Sequence, residues 1–170
     1  YENNMRIENC LKLMKDLNCD ALLLLNESNM HYLCGFSPSE GVVLLLKNGS
    51  GYHIVDSRYT EEAECHAKET GLSAIEIANK FSDTVAELCK KNSIKTIAYE
   101  NETISLKSFH TFKEATHCDF IGIDDKLMKI RNIKSNEEIE MMIKANDIAE
   151  KSFLELLNFV KTGKSEKELQ

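Results

Sequence analysis

The stretch NMHYLCGFSPSEGVVLLLKNGSGYHIVDSRY, residues 29–59, decides the fold. It reads as a short apolar strand, a polar loop over Gly35–Gly41, and two strands joined by a turn at Asn48-Gly49-Ser50. Asn-Gly is a strong hairpin signal because both residues tolerate positive φ. Val42 to Leu46 is a continuous apolar run, which predicts a strand buried on both faces. The loop and the charged exit Asp56-Ser57-Arg58-Tyr59 therefore fall at the ends of core strands, where a rigid scaffold presents polar groups.

Working outward, Ile7, Cys10, Leu11, Met14 and Leu17 share one face of a helix predicted over 3–18, ahead of a buried strand at Ala21–Leu25. Beyond the central stretch, 59–69 reads as a helix stopped by Gly71, and 73–78 as a strand. A helix starting at Ser82 or Asp83 buries Val85, Ala86, Leu88 and Cys89, and Thr96–Tyr99 is a short strand. Ser105 caps a helix with Phe109, Phe112 and Ala115 inward. Cys118–Ile123 is a last strand, and Asp124-Asp125 opens a helical turn through Met128. Strands that alternate with helices predict an α/β fold, with a mixed β-sheet sandwiched between helices because the hairpin makes one pair antiparallel.

Residues 135–160 differ in kind. Ser135-x-x-Glu138 is a capping box, and Ile139, Met142, Ile143, Ala149, Phe153, Leu156, Leu157 and Val160 form a long apolar stripe up to Gly163. A second box, Ser165-x-x-Glu168, comes just before Gln170 with no helix behind it, and the chain opens on Tyr1 rather than Met. Both ends are expected to be cut from a longer protein, with 1–131 as one domain and 132–170 as a linker and the first helix of the next.

With 170 residues, 42% hydrophobic and 29% charged, the chain is long enough to bury a core without metal or disulfide staples. A net charge of −7 argues against a nucleic-acid surface. The six cysteines are scattered, with no C-x-x-C, and neither a signal peptide nor a membrane-spanning run is present. Reduced thiols and a cytoplasmic setting are expected.

Complete catalytic constellations are missing from the sequence. No His pair has H-E-x-x-H spacing, and no phosphate-cradling glycine loop or G-x-S-x-G elbow occurs. Cys65-His66 and His117-Cys118 are neighbours that point apart on regular structure. Asp124-Asp125 reads as helix-start acids ahead of a hard-metal pair. Ser57 has no base, and no metal ligands are assigned. Arg58 either pairs with its neighbours or faces a ligand carboxylate; Phe36 is either core or a ligand contact.

Four blocks carry a family resemblance. They are Asp20-Ala21-Leu22; Asn29-x-x-Tyr32-Leu33-x-Gly35-Phe36; Asp56-x-Arg58-Tyr59 with Glu62 and Ala63; and Ile130-Arg131-x-x-Lys134-Ser135-x-x-Glu138-Ile139 with Ala145 and Ile148. In this order they resemble the N-terminal domain of the creatinase/prolidase/aminopeptidase P family and its junction with a "pita-bread" metallopeptidase domain. The resemblance implies a parent hydrolase, an Xaa-Pro aminopeptidase or dipeptidase, whose two divalent metal ions, often manganese, sit on two Asp, one His and two Glu. None of these ligands has a counterpart here, so the fragment is expected to be inactive, with no catalytic residue and no metal of its own. It further implies a homodimer, a proline-containing peptide substrate, and no nucleic-acid or membrane partner. The loop of Phe36, Ser37, Pro38, Ser39 and Glu40, with Arg58 beside it, is the expected substrate-access segment. Two alternatives stay open: a non-enzymatic interaction module built on a pseudo-peptidase, and a creatinase-type hydrolase.

Overall fold

The apolar run at 42–46 forms the middle of a six-stranded sheet in the computed structural model, which describes residues 2–36 and 38–169, with side chains from Met5 onward. Strand β1 is Ala21–Leu24, β2 Gly41–Leu46, β3 Gly51–Val55, β4 Ser73–Glu76, β5 Thr96–Tyr99 and β6 Asp119–Gly122, in the spatial order β4-β3-β2-β1-β5-β6. The hairpin pairs β2 with β3 antiparallel, and β2 also runs antiparallel to β1. The remaining pairs, β1 with β5, β5 with β6, and β3 with β4, are parallel. β2 therefore opposes the other five, whose carboxyl ends share one edge of the sheet. The loop that enters β2 lies on that same edge.

Helices cover both faces, as an α/β sheet requires. They are α1 (Glu2–Asp16), α2 (Glu27–Cys34), α3 (Thr60–Thr70), α4 (Phe81–Lys91), α5 (Leu106–Thr116) and α6 (Lys126–Asn132); α7 (Asn136–Phe159) follows them in the chain. Strand alternation divides the core. Leu22, Leu24, Val43 and Leu45 pack with Cys10, Met14, Met30, Leu33 and Leu127 from α1, α2 and α6. Ala21, Leu23, Val42, Leu44 and Leu46 pack with Val85, Leu88 and Phe112 from α4 and α5. This two-sided burial explains why β2 is apolar at every position after Gly41.

The structure corrects one expectation in the central stretch. Residues 29–34 are not a strand but most of α2. Asn26 caps the helix by accepting from the Asn29 amide, and Gly35 closes it at φ 71°, donating its amide to the His31 carbonyl. Met30, Leu33 and Cys34 are buried at helical spacing. The first helix also stops two residues early: Asn18 adopts φ 51°, and the Cys19 amide turns back to the Met14 carbonyl at 3.1 Å.

The chain divides into two units, Tyr1–Arg131 and Asn132–Gln170. The second consists of α7 and a short 3-10 turn, Glu166–Glu168. Both of its starts carry the capping boxes expected at Ser135 and Ser165. No residue of α7 is buried, and Met142, Ile143, Phe153 and Leu157 are each more than half exposed. Among the described residues no helix is long and apolar enough to cross a membrane.

Candidate functional site at the carboxyl edge of the sheet

In α/β sheets the crevice outside the carboxyl ends of the strands is the usual place for a ligand. Here that edge carries the loop before β2, the Asp56–Tyr59 turn after β3 and the Glu100 turn after β5. Phe36 forms the root of the loop: it is buried against Val55 and Ala63. Its ring stacks on His66 of α3 at 5.6 Å and 9°, and lies 5.6 Å from His53 and 5.9 Å from Tyr59. Of its two readings, the structure places Phe36 in the core. Pro38 is also buried, filling the space a side chain at Gly41 would need, so Gly41 is held to glycine by close approach. Ser37 lies outside the described residues.

The rim is polar and exposed. Ser39 shares a 2.9 Å hydrogen bond with the Tyr59 hydroxyl, and Glu40 stands 4.0 Å from the Arg58 guanidinium. Arg58 pairs chiefly with Asp56: Nη2 donates to Oδ2 at 2.6 Å and Nε to Oδ1 at 3.1 Å, while the Arg58 amide donates to Oδ1 at 2.9 Å. This pairing holds the Asp56 carboxyl below the usual carboxylate range, through the guanidinium hydrogen bond first. Arg58 also lies over the Tyr59 ring at 5.2 Å. The local pairing is therefore present, and the guanidinium still faces solvent.

Beside the rim lies an open cleft of about 630 Å³, lined by Ser39, Glu40, Lys80, Ser82, Lys107 and Thr111 among others. It runs between the loop and the start of α4, whose N-cap residue, Lys80, makes no side-chain cap. Mixed charges and hydroxyls over an apolar floor (Leu25, Val42, Phe112) suit a peptide-like ligand better than a purely apolar one.

Two buried polar groups were not singled out in the sequence. His53 is 2% exposed, and its Nε2 has no hydrogen-bond partner. Burial, then the neighbouring His66, pushes its pKa down to about 4. Glu100, 3% exposed, accepts from the Leu25 and Asn26 amides at 2.6 and 2.9 Å through Oε2, and from the Asn29 side-chain amide through Oε1. Asn29 Oδ1 in turn accepts from Arg131 Nη1 at 2.8 Å. The signal available for Glu100 is a carboxylate immediately after a parallel strand.

The donor set does not fit a metal pair. Among the described residues no three His, Cys, Asp or Glu side chains are grouped to hold an ion. Asp124 is engaged by Asn101 and Lys126, and Asp125 by Lys129. All six cysteines are free; only Cys65 is exposed, and burial pushes the Cys10 and Cys34 thiols up to about 12.

Comparison with known proteins agrees with this architecture. The Xaa-Pro dipeptidase of Pyrococcus furiosus is 32% identical over 170 residues, covering 96% of this chain and 45% of that protein. An Xaa-Pro dipeptidase from Bacillus anthracis superposes with a TM-score of 0.88 at 31% identity, over 98% of this chain and 46% of that one. An X-Pro aminopeptidase from Thermotoga maritima MSB8 gives 0.80 at 33% identity, over 93% and 46%. The chain thus spans about half the length of the relatives it matches. Residues 6–133 match the family described as the creatinase/prolidase N-terminal domain, and the chain belongs to that family.

Proposed function

We propose that residues 1–131 are the non-catalytic, access-controlling domain of an Xaa-Pro peptidase that hydrolyses bonds preceding proline. Residues 132–170 are then the linker and first helix of its catalytic domain. The observation that carries the reading is the match, over nearly the whole chain, to 46% of an Xaa-Pro dipeptidase, with residues 6–133 matching the creatinase/prolidase N-terminal domain. The two metal ions, manganese in this reading, and their carboxylate and imidazole ligands belong to the other half of the protein. The peptidase works in the cytoplasm as a homodimer, and its substrate is a short proline-containing peptide.

Within this domain the access segment is the loop of Phe36, Ser37, Pro38, Ser39 and Glu40 together with Arg58. Its working groups are the exposed ones. Arg58 offers a planar fork to a peptide carboxylate, and Glu40 offers a carboxylate to a peptide amine. Phe36 and Pro38 hold the loop in place from beneath.

The test uses the full-length protein with Mn²⁺, an Xaa-Pro dipeptide and a longer peptide with proline at its second position. Hydrolysis before proline is expected, and none from residues 1–170 alone. Exchanging Glu40 or Arg58 for Ala should shift KM by about threefold or more, equivalent to ~0.7 kcal/mol, with the melting temperature unchanged. Absence of hydrolysis in the full-length protein overturns the peptidase reading in favour of an interaction module. A changed melting temperature with unchanged kinetics reduces the loop to scaffold.

A further inference from the structure

We propose that Arg131, Asn29 and Glu100 act as one positioning relay that clamps the last turn of the first unit to the helix feeding the candidate loop. Asn29 serves the relay in three ways. Its backbone amide completes the α2 cap on Asn26 at 3.3 Å, its side-chain amide donates to Glu100, and its side-chain carbonyl accepts from Arg131 at 2.8 Å. The Asn29 amide carries both a donor and an acceptor, so it joins an acceptor-only carboxylate to a donor-only guanidinium. An Asp at this position would set one carboxylate against another, and a Leu would take this partner from both Glu100 Oε1 and Arg131 Nη1.

The other Glu100 oxygen holds the amides of Leu25 and Asn26, the two residues that lead into α2. One buried carboxylate therefore fixes where α2 starts, and through Asn29 it also fixes Arg131. α2 is eight residues long and hands directly to Gly35 and Phe36. A shift at its first turn is carried to the loop as a rigid-body shift. At the far end, Leu127 and Ile130 already bind α6 to the core. Arg131 is thus not required for burial; its contact with Asn29 sets the orientation of the final turn, where the chain leaves this unit. The loop and the exit share one mount.

This inference rests on the loop being the functional segment, but its test does not. Amide hydrogen exchange is measured on the 170-residue chain for Asn29→Ala, Arg131→Ala, the double variant and Arg131→Lys. If the relay works as a unit, Arg131→Ala speeds exchange about tenfold at 25–30 as well as at 129–132, while β2 keeps its protection. Arg131→Lys recovers part of the loss, and the double variant exchanges no faster than Asn29→Ala alone. Faster exchange confined to 129–132, or additive increases in the double variant, would overturn the relay. Should Asn29→Ala fail to fold, the two Arg131 variants decide by the same criterion, because both leave the cap and Glu100 in place.

Discussion

Strands β1 and β5 are parallel neighbours, and each grips the other with one carboxylate. At their amino ends Asp20 accepts from the Lys95 and Thr96 amides, at 3.0 and 3.2 Å, just where β5 begins. At their carboxyl ends the grip is reversed, with Glu100 accepting from Leu25 and Asn26 just past β1. The surroundings differ. The Asp20 side chain is 24% exposed and has Lys47 Nζ at 2.6 Å. Glu100 is buried, is answered by amide donors, and meets a cation only at one remove through Asn29. The same device is a local fastener where it is wet. Where it is dry it commits a strand end, two helices and the chain exit to a single geometry.

The largest effect should come from the dry end. Glu100→Ala takes the carboxylate acceptor from two backbone amides and the Asn29 side chain at once, a loss of roughly 3–5 kcal/mol, read from urea unfolding at unchanged slope. Glu100→Gln should cost less, since one acceptor oxygen remains. A Glu100→Ala cost no larger than that of Asp20→Ala would erase the contrast between the two ends.

Acid should next separate a buried imidazole on β3, His53, from the wet carboxylate Asp20 by the pH at which each contribution is lost. His53 is neutral in the fold, with a pKa near 4 against an ordinary 6.5, so the unfolded chain takes up its proton first as pH falls. Stability from this group is complete above about 6.5, declines toward 4, and is constant below. The window is worth about 3 kcal/mol. Facing His53 are His66 from α3 and Phe36 from the loop root, with Val43 and Ala74 beside it on the flanking strands. His53→Leu should flatten the pH 6.5–4 arm of the unfolding midpoint; an unchanged arm would place the acid sensitivity elsewhere. Asp20 acts in a lower range. Its carboxyl is held below the ordinary 3.8, by the Lys47 hydrogen bond first and then the Lys95 amide. Its contribution is present at neutral pH and lost only as pH falls below about 4.

The smallest effect belongs to the wet end. Asp20→Asn keeps one acceptor and loses the ion pair with Lys47, costing about 1 kcal/mol or less and fading as salt is raised. A cost that ignores salt would mean that the backbone amides, not Lys47, carry the Asp20 contribution.

These contrasts also show what the sequence made legible. Period-two alternation cannot mark a strand buried on both faces, yet the unbroken run at 42–46 and the Asn-Gly turn were enough to place the hairpin and the mixed sheet. Residues 29–34 misled because one helical turn and a half offers few repeats. Tyr32, Leu33 and Cys34 in a row look like a short strand unless the Asn26 cap and the Gly35 stop are weighed together. The loop was legible as a position, but its division into a buried root and an exposed rim was not. That depends on His66 and Tyr59, which arrive from α3 and its entry. Glu100 was invisible for a stronger reason. Its neighbourhood, Tyr99-Glu100-Asn101-Glu102, reads as a solvated turn, and the groups it holds are more than seventy residues away.

The distribution of the cysteines has a practical consequence. Five of the six are buried, and the thiols of Cys10, Cys34 and Cys89 are pushed up to about 12, which keeps them as unreactive thiols at neutral pH. Cys65 alone is exposed, and it precedes His66, the ring on which Phe36 stacks. Among these 170 residues one thiol is therefore open to a maleimide dye, next to the ring that packs on the root of the candidate loop. A fluorophore there needs no engineered cysteine, and it reports on that loop from a helix that does not belong to it.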